Sequence, residues 1–168
     1  MSEESPRFPA VPPRWMPIGD DPEVCPVGEW WDVVRVAEDI GHRAIELLRT
    51  DGETVGPVVL GDEGTSLRMY FLLPVGTASA WQVPGTVPLG ARSHLVVPPV
   101  AAVEPPALHW LVIPAGPRLL THPAMLRRVI GRARRERVLS RAPRSRDPTP
   151  HLPLHAERSR FGVPEIKL

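Results

Sequence analysis

Apolar residues recur at helical spacing in a segment that begins near residue 37. The members of this set, at intervals of three and four residues, form one helix face: Ala37, Ile40, Ala44, Leu47 and Leu48. Asp51-Gly52 is a stop signal for such a helix. Gly41 lowers the helix propensity slightly, but it also permits close packing on a sheet. The pattern therefore predicts a first helix that lies against a sheet.

A second helical pattern lies near the C-terminus, over about residues 122–141. Its apolar stripe is Met125, Leu126, Val129, Ile130 and Ala133. His122 or Thr121 would cap this helix, Pro123 would be its first residue and Pro143 would end it. Arginines occupy seven of its other positions, so the sequence predicts an arginine-rich helix.

Between the two helices, runs of β-branched and aromatic residues predict strands. They are residues 28–36, 56–60 and 66–74 and the stretches SHLVVPP and LHWLVIP. The segment GDEGT (61–65) predicts a hairpin loop that holds Asp62 and Glu63. Two proline-broken pieces, SAWQVP and TVPLG, would be edge strands at best.

The order strand, helix, several strands, helix predicts the fold class α+β. We expect a single domain with a mainly antiparallel mixed sheet flanked by helices. Residues 27–142 would form this domain, including the arginine-rich helix. Residues 1–26, with seven prolines, would be an irregular arm lying across the domain. Residues 143–168 would be a disordered tail.

Composition limits the class of protein. The chain of 168 residues is one domain's worth. Its apolar runs fall short of the roughly 20 residues that span a membrane, and its first residues lack the pattern of a signal peptide. We therefore expect a cytoplasmic protein with no membrane partner. The only cysteine, Cys25, excludes an internal disulfide. The only lysine, Lys167, is near no glycine loop, so a phosphate-binding P-loop is excluded.

The charge is distributed unevenly along the chain. Residues 1–117 hold seven arginines against fifteen carboxylates, whereas residues 118–146 hold ten arginines against Glu136 alone. Three interpretations stay open: the basic helix binds nucleic acid, it docks on the acidic body of its own chain, or it presents a solvated face. An acidic body and a basic helix could also pair in a homodimer. The candidate nucleic-acid contacts are Arg127, Arg128, Arg132, Arg134, Arg135 and Arg137.

Three segments resemble parts of one known domain. WWDVVRVAEDIGHRAIELL is similar to a strand ending in acids and the helix after it. GPVVLGDEGTSLRMYFLLPVG is similar to a hairpin whose second strand carries a histidine. LGARSHLVVPPVAAVEPPALHW is similar to a glycine-led strand, a Pro-Pro turn and a final strand with a tryptophan. Over roughly residues 27–115 the chain thus resembles the N-terminal domain of bifunctional DNA primase/polymerases, in the short divergent form of high-GC bacteria.

The resemblance implies a two-metal active site, but the residues that would build it are missing. At the spacing of the family's acid-x-acid pair, Asp32 is followed by Val34. Arg68 or Met69 stands where the family histidine falls, and GTVPLGAR supplies no third acid. Without paired carboxylates, two metals cannot be held for phosphoryl transfer. We expect no metal, no cofactor and a catalytically inactive domain that is a nucleic-acid-binding or protein-interaction module.

The alternative is a small nucleotide-binding protein or enzyme that retains a pocket on the sheet face. Its candidate residues are Asp32, Arg68, Arg92 and His94. Arg68 could hold a phosphate. Convergence of these side chains on one concave face would favour this alternative. Burial of Asp32 against Arg35 or another arginine would favour a scaffold.

Histidine and tryptophan side chains are further candidates for a functional role. His94 and His109 lie on the strands that flank the Pro-Pro turn, but without a spaced acid or cysteine they make a poor metal site. Tryptophans can be base-stacking platforms. With only nine aromatic residues in the chain, we interpret them as core, with one of the adjacent pair facing outward: Trp30, Trp31, Trp81 and Trp110.

Overall fold

The chain forms seven strands, one short 3₁₀ turn and two helices within residues 13–106, 108–116 and 119–143, the part that this computed structural model describes. The strands are β1 (Glu23–Pro26), β2 (Asp32–Ala37), β3 (Val58–Glu63), β4 (Ser66–Leu73), β5 (Val87–Leu89), β6 (His94–Val97) and β7 (His109–Val112). The helices are α1 (Glu38–Thr50) and α2 (Pro123–Arg141). The α+β class expected from the sequence is confirmed.

The strands are divided between two sheets. The central sheet has five strands in the order β5-β2-β4-β3-β7, and β1 pairs with β6 in a separate ribbon. All pairings of the described strands are antiparallel, whereas the sequence predicted one mainly antiparallel mixed sheet. β5 contains Pro88 and lies at the sheet edge, where a missing N–H donor is tolerated.

Two cores lie on the two faces of the central sheet. Side chains alternate along a strand, so Val34 and Val36 of β2 face one side whereas Val33 faces the other. Both helices cover the first side. The ribbon and the N-terminal arm cover the second, where Trp15 lies near Trp31 at a ring-centroid distance of 5.7 Å. The helices therefore form one outer layer, and the ribbon and arm form the other.

The first helix lies close to the sheet at Gly41, as its glycine predicted. A Cβ atom at Gly41 would overlap the Met69 sulfur and lie 3.1 Å from the Met69 Cβ and Cγ atoms. Met69 is on β4 and is fully buried. Only a glycine therefore allows α1 to reach this part of β4 without displacing a core side chain.

The second helix has the ends that the sequence predicted. His122 is the N-cap, and its Nδ1 atom accepts a hydrogen bond from the Ala124 N–H at 3.2 Å. Pro123 is the first helical residue, and the helix ends at Arg141, two residues before Pro143.

No described helix is both long and apolar enough to cross a membrane.

Two predictions about local structure need correction. The described part of the N-terminal arm is not irregular throughout, because residues 23–26 form β1, and Trp15 and Met16 are buried in the ribbon-side core. Strand β3 continues through Glu63, so the turn is Gly64-Thr65 and not a five-residue loop. Gly64 has φ +69°, which permits this tight turn. The tail predicted from residue 144 onward lies outside the described residues.

Candidate functional site

Three arginines of α2 bind carboxylates of their own chain. Arg128 and Arg132 reach Asp51, just after α1, at 3.1 and 3.0 Å. Arg137 reaches Asp39, in the first turn of α1, at 3.0 Å. Of the three interpretations left open for the basic helix, the structure favours docking on the acidic body for these three side chains.

Two more arginines of α2 hold the segment between β4 and β5. Arg127 donates to the carbonyl of Ala80 at 3.4 Å, and its guanidinium lies 5.4 Å from the centroid of the Trp81 ring. That distance is within the range of a cation–π interaction. Arg134 donates to the carbonyl of Pro84. These two side chains are therefore engaged with backbone and ring atoms of the domain.

The contact between the helices also includes an ion pair in which the arginine belongs to α1 and the carboxylate to α2. Arg43 of α1 donates to Glu136 of α2 at 2.6 Å, and this hydrogen bond lowers the pKa of the Glu136 carboxyl. Burial raises the pKa of Asp39, but the hydrogen bonds from Arg137 and the Ile40 N–H and the charges of Arg137 and Arg141 together outweigh it, and the net pKa is lowered. Exposed ion pairs each add little stability, and the buried apolar stripe of α2 packs with α1 in the helix-side core beneath them.

The C-terminal half of α2 carries an exposed surface of a different kind. Val138 and Leu139 are 68% and 75% exposed. Arg135 and Arg141 form no ion pair with any described residue. We call the group Arg135, Val138, Leu139 and Arg141 the α2 patch. An open groove of about 500 Å³ runs along it, lined by Gly131, Arg134, Arg135, Val138 and Leu139. The patch is apolar with a basic rim.

Asp32 has a structural position. It is only 3% exposed, and its Oδ2 atom accepts hydrogen bonds from the Gly76 and Ala78 N–H groups, both at 2.9 Å. These bonds fix the turn after β4. Asp32 borders a cleft of about 430 Å³ that Ser79 also lines. Its bound partners are backbone amides and not the arginine that the scaffold interpretation expected.

The four pocket candidates do not converge. Asp32 pairs with Leu73 at one end of the β2–β4 ladder, and Arg68 pairs with Ala37 at the other, about 17 Å away at the rise of a strand. Arg92 lies in the turn before β6 with φ +76°. His94 is exposed on β6, in the ribbon and outside the central sheet.

Arg68 lies instead in a cluster with three residues that the sequence did not single out together: Arg35, Glu63 and Tyr70. Glu63 accepts from Arg35 at 2.5 Å, lies 3.9 Å from the Arg68 Nε atom and accepts from the Tyr70 hydroxyl at 3.3 Å. Burial, and then the charge of Glu63, raise the pKa of Tyr70. Arg35 and Arg68 line a cleft of about 210 Å³. Sequence reasoning missed this cluster because it placed Glu63 in a loop; the period-two alternation, continued to residue 63, would have found it.

The remaining candidates are distributed over the domain. His94 and His109 belong to different sheets, since β6 pairs with β1 and β7 with β3. Among the described residues, no group of three or more His, Cys, Asp or Glu side chains is placed to hold a metal ion. Trp30 is half exposed and Trp31 is buried, as predicted for that pair, and Trp81 and Trp110 are also buried in the cores.

Comparisons of the chain with models of protein families, with curated proteins and with solved structures find no match. The structure defines the class as a single α+β domain with two antiparallel sheets. Likeness to the primase/polymerase domain stays a prediction from the three sequence segments.

Proposed function

We propose that the protein is a non-catalytic protein-interaction module built on a primase/polymerase-like frame. One observation carries the proposal: five arginines of α2 are engaged by their own domain, whereas the most exposed apolar side chains of this helix, Val138 and Leu139, pack in neither core of the described residues. Exposed apolar residues with a polar rim are typical of protein–protein contact sites.

The engaged arginines make nucleic acid a weaker candidate partner. Phosphate binding gains its free energy from cations that displace counterions from the backbone. Arg128, Arg132 and Arg137 already face carboxylates. A phosphate would have to displace Asp51 and Asp39 from them, and this exchange reduces the net gain.

The surroundings of Asp32 support the non-catalytic part of this proposal. Its carboxylate is used to hold the Gly76 and Ala78 amides. Val34, at the position of a second acid, is fully buried in the helix-side core. A carboxylate there would face apolar side chains, where an unpaired charge is strongly disfavoured.

A fluorescence anisotropy titration of labelled single- and double-stranded DNA at low and high salt tests the proposal. The wild-type protein is compared with a variant in which three exposed arginines of α2, Arg127, Arg128 and Arg135, are changed to alanine. The matched control removes the same charge elsewhere, at Arg14, Arg49 and Arg92. Circular dichroism checks that both variants are folded.

We expect no micromolar binding to either DNA and no difference between the two triple variants. Micromolar binding that weakens with salt and is lost in the α2 variant alone would overturn the proposal in favour of a nucleic-acid module. Salt dependence is decisive because phosphate contacts release counterions, whereas contacts between apolar surfaces do not.

The Arg35–Arg68 cleft favours a second candidate function, a small nucleotide-binding protein. Two guanidinium groups share one carboxylate, Glu63, so the cleft keeps a net positive charge. Arginine matches the geometry of phosphate oxygens. Calorimetric titration with ATP should then give saturable heat that Arg68→Ala removes and Arg92→Ala retains. Absence of heat with the wild-type protein would eliminate this candidate.

A further inference from the structure

Exposed apolar side chains also form a patch on the ribbon. Val24 of β1 and Val96 of β6 are cross-strand partners, and they are 67% and 45% exposed. Ile18, a few residues earlier in the chain, is fully exposed. Two exposed acids, Asp20 and Asp21, lie between Ile18 and Val24 in the chain. Glu23 precedes Val24 on β1 and therefore points to the opposite face of the ribbon. We call Ile18, Val24, Val96, Asp20 and Asp21 the ribbon patch. It is apolar with an acidic rim.

The ribbon patch and the α2 patch have opposite charge. The ribbon patch carries two carboxylates with no ion pair to any described residue, and the α2 patch carries two such guanidiniums. In each patch the charged residues accompany apolar side chains that are at least 45% exposed. Complementary charge around apolar surfaces gives an interface both affinity and register.

The two patches cannot meet within one copy of the chain. α2 packs in the core on the helix side of the central sheet, whereas the ribbon packs in the core on the opposite side. The five-stranded sheet lies between them. Any contact between the patches must therefore join two molecules.

We infer that the α2 patch of one copy binds the ribbon patch of a second copy of this chain. This inference rests on the proposed function and identifies the partner of the interaction module. Since different surfaces meet, the contact is heterologous, and repetition builds rings or open chains of subunits. Val138 and Leu139 would pack on Val24 and Val96, and the acidic rim would face Arg135.

Sedimentation velocity over a range of protein concentrations, at low and high salt, tests the inference. We expect the sedimentation coefficient to rise with concentration at low salt and to rise less at high salt, which screens the rim charges. Val138→Asp should weaken association at least about tenfold, since it places a charge in the apolar centre. Val75→Asp makes the same change at an exposed valine outside both patches and should associate as the wild type does.

Charge reversal gives a sharper test. The double variants Arg135→Glu/Arg141→Glu and Asp20→Arg/Asp21→Arg should each be monomeric, because both of their patches then carry the same sign. An equimolar mixture should associate again, because each acidic patch meets a basic patch on the other variant. All exchanged residues are exposed, so folding should be retained.

A monomeric wild-type protein at all concentrations, or a mixture of the reversal variants that stays monomeric, would overturn the inference. Either result leaves the proposed interaction module intact if DNA binding is absent. Salt-sensitive DNA binding that depends on α2 would overturn the proposed function itself, whatever the sedimentation data show. The two failures are therefore distinguishable.

Discussion

Replacement by alanine should have opposite effects at the two glycines inside the helices. A Cβ atom at Gly131 of α2 would have the Arg135 Nη1 atom as its nearest neighbour, at 3.5 Å, which is ordinary contact. A Cβ atom at Gly41 of α1 would overlap the buried Met69 side chain. Helix propensity alone predicts the same gain at both positions, so any difference between them measures the packing of α1 on β4.

The expected magnitudes follow from these surroundings. Gly131→Ala should stabilise the domain by about 0.5–1 kcal/mol, since alanine is the better helix former. Gly41→Ala has the same gain but incurs an overpacking cost of about 1–3 kcal/mol. We therefore expect it to lower the free energy of unfolding by up to about 2 kcal/mol, which corresponds to a few degrees in Tm at this chain length.

Urea denaturation followed by tryptophan fluorescence and circular dichroism measures both free energies. A double variant tests the cause: in a Met69→Ala background, Gly41→Ala should become neutral or stabilising, because the obstructing side chain is gone. A Gly41→Ala variant that is as stable as Gly131→Ala would refute the close approach of α1 to β4. So would a destabilisation that persists unchanged without the Met69 side chain.

Two further predictions concern the stability contributed by Asp32 and the pKa of Asp39. Asp32→Ala should lower the free energy of unfolding by about 1–3 kcal/mol in urea denaturation, because the Gly76 and Ala78 amides lose a buried acceptor. For Asp39, burial raises the pKa, but the hydrogen bonds from Arg137 and the Ile40 N–H and the charges of Arg137 and Arg141 together outweigh it. The folded-state pKa is thus depressed, so the pair stabilises the fold above the unfolded-state pKa of about 3.9, and this contribution is lost as the pH falls through the folded-state value. In a carbon-detected NMR titration, Arg137→Ala should move the Asp39 midpoint upward.

Each of these results has a contradicting outcome. An Asp32→Ala variant with wild-type stability would mean that the turn after β4 does not depend on its carboxylate. An Asp39 midpoint that is unchanged by Arg137→Ala would mean that the ion pair across the helices is absent in solution. The matched control for the second experiment is Arg49→Ala, which removes an exposed arginine of α1 that has no ion pair with any described residue.

The sequence alone determined the helices, most of the strands and the fold class. These features depend on local interactions: the apolar period of α1, the cap at His122, the proline at position 123 and the β-branched runs. Gly41 also indicated close packing before its partner was known. A period of two or 3.6 residues identifies a buried face without identifying what covers that face. The helices and the fold class could therefore be predicted, whereas the end of β3 at Glu63 was not.

Only the tertiary structure decided which residues meet. Asp51 binds Arg132 across 81 residues of chain, and no local pattern specifies such a pair. The ribbon strand β1 was missed because a short exposed segment with prolines has little periodicity, and its pairing with β6 is long-range. The candidate pocket Asp32, Arg68, Arg92 and His94 was not formed, because the register of β2 on β4 puts two of its members at opposite ends of the ladder.

Long-range packing also decides which side chains of α2 remain exposed. Sequence showed a basic helix and an acidic body but could not show which arginines the body already holds. Folding uses five guanidiniums of α2 to attach the helix and leaves Arg135 beside exposed Val138 and Leu139. The composition of a helix is local, whereas the surface left free after docking depends on every element that packs against it.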